Sequence, residues 1–172
     1  MVITNHEIVD AVLACHATDL GASATTYRHH VLRSLNYHAL LQGHEVSEQA
    51  ALAWAVHDLG IWTAGTFDYL EPSAALAQRY GAELGVTEVD RSVQMVTEHH
   101  KLRSHADLET EAFRKADLVD VSHGLIRFGI PRAEVTDVVR ALPYEGFHRF
   151  LAKGLTGHAV RHPTKPAPMM RW

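Results

Sequence analysis

Apolar positions along this chain recur at three- and four-residue spacing, the period of a helix that buries one face. Ile8, Val9, Val12 and Leu13 form the first such stripe, with Asn5 placed to cap it. A second helix is predicted from about Thr25 to Gln42, stopping at Gly43, and a third behind Ser47 as its cap. The third breaks the amphipathic pattern. Ala50, Ala51, Leu52, Ala53, Trp54, Ala55 and Val56 are consecutive apolar residues, and a helix apolar on every side is a buried helix. His57 and Asp58 follow at once, and Leu59 and Ile61 continue the apolar run around Gly60. A buried carboxylate beside a buried imidazole is costly unless something pairs with both.

Positions 61–71 read as a loop with a helical turn. A fourth helix is predicted from Pro72 or Ser73 to about Gly85, and a fifth from a Thr87 cap to about His100. The sixth spans about Leu108 to Arg127, with Gly124 as an earlier stop. Pro131 opens a seventh running to about Leu142, and Phe147 to His158 form an eighth. The proline-rich stretch 163–172 reads as an extended or flexible tail. With no alternating strand pattern, internal repeat or linker, residues 1–172 are predicted to form one all-α domain, a bundle of about seven or eight helices.

Composition narrows the classes of function. A net charge of −4 argues against a broad basic face for nucleic acid but leaves room for a small phosphate-bearing molecule held by a few basic side chains. No apolar run reaches the length of about 18 residues that a membrane helix needs, and no basic, apolar leader opens the chain. Cys15 is the single cysteine, which rules out an intrachain disulfide and suits a reducing cytoplasm. Its helical context predicts a small core residue. Composition leaves homo-oligomerisation open.

The chain holds 14 histidines. Metal-type ligands concentrate in four places: Arg28-His29-His30, His57-Asp58, Glu98-His99-His100, and Asp117 with Asp120. Their order resembles the HD superfamily of metal-dependent hydrolases, helical proteins with the ligand order His … His-Asp … Asp. Tyr27-Arg-His-His-Val-Leu-Arg33 looks like the first-histidine helix, Ala-Val-His57-Asp58-Leu-Gly60 the doublet, and Phe113-Arg-Lys-Ala-Asp117-Leu-Val-Asp120 the last motif. The resemblance covers about residues 25–125. It implies a metal set of His30 (with His29 as the alternative), His57, Asp58 and Asp117. Such a set suits one divalent ion, Mn, Fe, Co, Ni or Zn, with positions left for water and substrate.

The resemblance also implies a pocket-lining role for the His-rich segment at 98–100, and other residues near the motifs are candidates by their position and type. Glu98, His99 and His100 are candidate proton-transfer groups. Lys101, Arg33, Trp62 and Phe67 are candidate substrate contacts, Arg33 alternatively pairing with Asp58 or Asp117. The expected activity is a metal-dependent hydrolase, first a phosphohydrolase acting on a phosphoester. The alternative is a hydratase resembling the superfamily's cyanamide hydratases. The absence of a carboxylate between Asp58 and Asp68 argues against a nucleotidase. Two-metal oxygenases of the superfamily carry histidines between the doublet and the late aspartate. None lies between His57 and His99, which argues for one metal. A non-catalytic ligand-binding helical domain is the remaining alternative.

Overall fold

A computed structural model describes residues 1–164 and 166–170 of the chain. In chain order the elements are α1 (Glu7–Cys15), α2 (Ala17–Leu20), a 3-10 turn (Gly21–Ser23), α3 (Ala24–Gln42), α4 (Glu48–Val56), α5 (Gly60–Thr63), α6 (Leu70–Leu84), α7 (Val89–Glu98), α8 (Leu108–Val121), α9 (Arg132–Ala141) and α10 (Phe147–Arg161). Eight of these helices are nine residues or longer. There is no strand among the described residues.

α4 is the axis of the fold. All seven residues from Ala50 to Val56 are fully buried. Its alanines offer little side chain, so neighbours approach closely on every side, and α1, α3, α6 and α7 all pack against it. Trp54 is its one large side chain. It stacks on Phe113 of α8 at 3.7 Å between ring centres and donates its indole N–H to His38 Nδ1 at 3.1 Å. Truncating so large a buried ring to alanine costs about 3–5 kcal/mol. α3 and α8 pack along each other, which brings the first histidine motif opposite the late aspartates.

Caps explain several boundaries. Ser47 Oγ accepts from the Ala50 N–H and Asp107 accepts from the Thr110 N–H, each satisfying a free amide of a first turn. Gly43 and Gly85 end α3 and α6 in the left-handed region. Other boundaries differ from the sequence expectation. α1 starts after His6 rather than Asn5, and Glu88 rather than Thr87 precedes α7. α8 stops at Val121, because the chain turns through His123 and Gly124 at positive φ. α10 runs on to Arg161. The four-residue α2 has too short a pattern to read from sequence.

Cys15 is a correction. It is exposed, not a core residue, because the buried face of α1 is set by Val9, Val12 and Leu13. The stretch expected to be an extended or flexible tail includes Met169, which is 5% exposed and packs with Ile61, Tyr69 and Leu70. Among the described residues no helix is long and apolar enough to cross a membrane.

Candidate metal centre

Two helices and a turn deliver the centre. α3 carries His30, the turn after α4 carries His57 and Asp58, and α8 carries Asp117. His30 and His57 are fully buried, and Asp58 and Asp117 are each 5% exposed. His30 Nε2 lies 3.0 Å from His57 Nε2, 3.7 Å from Asp58 Oδ2 and 3.6 Å from Asp117 Oδ1. His57 Nε2 lies 3.6 Å from Asp58 Oδ2 and 3.9 Å from Asp117 Oδ1. Neighbouring donors held about 2.1 Å from one ion sit roughly 3–3.5 Å apart, so the spacing suits a shared cation.

The hydrogen bonds behind the histidines fix which nitrogen faces inward. His57 Nδ1 donates to the Trp54 carbonyl at 2.9 Å, and a carbonyl can only accept. His30 Nδ1 donates to Asp120 Oδ2 at 2.7 Å. Burial works against ionisation of Asp120, but the His30 and Arg33 hydrogen bonds outweigh it and hold the carboxyl below its usual range. In the neutral imidazoles both Nε2 atoms therefore turn lone pairs toward each other. Two acceptors 3.0 Å apart repel unless a cation lies against both. Burial drives the His57 imidazolium form down to a pKa of about 3. The carboxylates split: burial pushes Asp117 up to about 6. At Asp58 burial is outweighed by the imidazoles around it, and its carboxyl lies below the usual range. His30, His57 and Asp58 together could hold a metal ion, and Asp117 stands against both imidazoles without joining that group.

The doublet's turn is held from two sides. The Tyr27 hydroxyl donates to the Ala55 carbonyl at 3.1 Å and accepts from the Asp58 N–H at 3.3 Å. The Gly60 N–H donates to Ser73 Oγ, and a Cβ on Gly60 would lie 2.7 Å from the Tyr69 carbonyl oxygen. That contact explains the glycine after the doublet. His57 also sits at the C-terminal end of α4, where the helix dipole favours a cation.

His29 lies outside the cluster, its Nδ1 on the Pro143 carbonyl. Arg33, expected on a substrate or on Asp58 or Asp117, is fully buried and grips Asp120 through Nε at 2.6 Å and Nη2 at 2.8 Å. Asp120 thus carries His30 on one side and Arg33 on the other. The sequence reading grouped it with Asp117 without giving it this role. The signal was there: Arg33 is three residues after His30, and Asp120 three after Asp117, so each shares a helix face with a candidate ligand.

His99 follows α7. Its Nδ1 donates to the Val96 carbonyl, and its Nε2 has no hydrogen-bond partner and faces Asp58 Oδ1 at 3.6 Å. His100 Nε2 meets the Tyr69 hydroxyl at 2.7 Å. Asp58, His99 and His100 form a second group of donors within 4.8 Å of one another. Glu98 and Lys101 pair together at 2.9 Å. Phe67 lines the cavity that opens beside Asp58 and Asp117. Trp62 lines a neighbouring one and stacks on Phe150.

Comparison with protein-family models, with curated proteins and with solved structures gives no match to this chain.

Proposed function

We propose that the protein is a metal-dependent enzyme of the HD type that directs an activated water at a small molecule. The single observation behind this reading is the pair of inward-facing Nε2 atoms of His30 and His57, flanked by the Asp58 and Asp117 carboxylates. His30, His57, Asp58 and Asp117 would hold one divalent ion. Such an ion supplies Lewis acidity and a lowered pKa for water. The protein's own residues supply the rest. Asp120 and Trp54 fix the imidazoles, and Tyr27 holds the Asp58 backbone. His99 and His100 stand beside Asp58 as proton carriers.

Among the expected substrates, the cation placement favours a neutral electrophile over a phosphoester. Arg33 is engaged by Asp120 and Lys101 by Glu98. A hydrolase or hydratase acting on an uncharged polar group fits that arrangement. A second reading rests on the Asp58–His99–His100 group, which offers donors for a second ion and hence for two-metal oxygenase chemistry.

The test combines metal analysis with turnover of p-nitrophenyl phosphate, a carboxylic ester and cyanamide in the presence of Mn, Fe, Co, Ni or Zn. We expect near one ion per chain and chelator-sensitive turnover of an uncharged substrate. Turnover that survives complete metal removal would sink the reading. Two ions and an O₂ requirement would replace it with the second one.

A further inference from the structure

Beside the metal centre a cavity of about 280 Å³ opens against Asp58 and Asp117. Its polar groups, those two carboxylates with Tyr69 and His100, belong to the centre or touch it. Leu118 and Val121 of α8, Leu151 and Leu155 of α10, and Ala167 and Met169 beyond α10 supply apolar wall. Three separated parts of the chain therefore converge to build one hydrocarbon surface next to a charged cluster. Apolar surface is withdrawn from water most favourably by apolar surface. A polar or charged group set against the Leu118, Val121, Leu151 and Leu155 wall would lose its hydration and find no hydrogen-bond partner on that wall.

We propose that the substrate carries an apolar body that fills this cavity and a single uncharged, hydrolysable or hydratable group at the end that meets Asp58 and Asp117. This rests on the metal-centre reading above and adds the substrate class to it. A cavity of about 150 Å³ accommodates benzene, so the space here suits an aliphatic chain or ring system of roughly ten heavy atoms. The polar head is fixed at the centre, and the cavity sets the length of the body. α10 is then a specificity element. Gly154 of α10 lies where a Cβ would come within 2.2 Å of Phe67 Cζ, so the glycine lets the Phe67 ring settle as a wall between this cavity and its neighbour.

The experiment is a calorimetric titration of metal-loaded protein with a homologous series of hydroxamic acids, from acetohydroxamate to tetradecanohydroxamate. The head reports the metal and the tail reports the cavity. Affinity should rise about fourfold per added methylene until the cavity is full, then level off. Leu155→Asn should flatten that rise, and Val121→Phe should move the plateau to shorter chains. In both, the change is read in the slope with chain length, relative to each variant's own acetohydroxamate affinity. The unaltered protein decides the matter even where a variant does not fold. Acetohydroxamate binding with no dependence on chain length would overturn the proposal and leave the metal centre standing. If the protein holds no metal, the function proposed above falls. A series of n-alkyl alcohols against the metal-free protein then reads the cavity, and absence of chain-length dependence there overturns the proposal too.

Discussion

His30 Nε2 and His57 Nε2 stand 3.0 Å apart in the protein interior, each with its other nitrogen already donating. Groups so arranged are compatible with a cation, and the metal-loaded protein should show it in stability. A ligand that binds only the folded state at a hundred times its dissociation constant adds about 2.7 kcal/mol. Thermal unfolding of metal-loaded protein should therefore shift upward, and Asp58→Ala should abolish both the shift and the bound ion. An unchanged melting temperature on loading would contradict the assignment.

Asp120 joins His30 to Arg33, and its loss should separate two effects. Asp120→Asn leaves the buried Arg33 guanidinium without its carboxylate, a change that costs about 3–5 kcal/mol of stability. It also replaces the charged acceptor of the His30 Nδ1–H with a neutral amide, for which a loss of roughly 10- to 100-fold in metal affinity is expected. The double variant Arg33→Met with Asp120→Asn should recover stability by denaturant titration but not metal affinity. Recovery of both would show that Asp120 does not position His30.

Gly60 has no room for a side chain. Its Cβ would meet the Tyr69 carbonyl oxygen at 2.7 Å and Ser73 Oγ at 2.9 Å. Gly60→Ala should cost about 1–3 kcal/mol by urea unfolding. Because Gly60 follows the doublet directly, the same variant should also weaken metal binding. A neutral effect on both would mean that the turn relaxes freely.

His38 should make stability pH-dependent. Burial, with His44 adding a smaller push, lowers its pKa from 6.5 to about 3 in the folded protein. Below pH 6.5 the unfolded chain gains a proton at this side chain that the folded one refuses. Stability from this group is thus full above pH 6.5 and falls as pH drops toward 3, by about 1.4 kcal/mol per pH unit. His38→Gln keeps an acceptor for the Trp54 N–H and removes the titration. Its unfolding free energy should fall less steeply than that of the unaltered protein between pH 6 and 4. Parallel curves would argue against a buried neutral His38.

Much of the architecture was legible because helical period and caps are local. Gly43, Ser47, Gly85 and Pro131 mark ends that depend on backbone geometry within one turn. The apolar run of α4 announced a central helix, since an element without a polar face has only the interior to occupy. The metal candidates His30, His57, Asp58 and Asp117 were legible as residue types in order. Cys15 was misread because one turn of a helix decides between core and solvent, and the stripe alone did not resolve it.

Sequence by itself thus determined the helices, the buried character of the doublet and the donors available to a cation. Tertiary structure decided which donors meet. It chose His30 over His29, because α3 presents His30 to α8 while His29 reaches Pro143. It gave Asp120 to His30 and Arg33, and it brought α10 and Met169 beside Asp58 to shape an apolar cavity. The physical reason is range. Propensity and capping act within a few residues, whereas the His30–Asp120 bond joins positions 90 residues apart and exists only once α3 and α8 have packed.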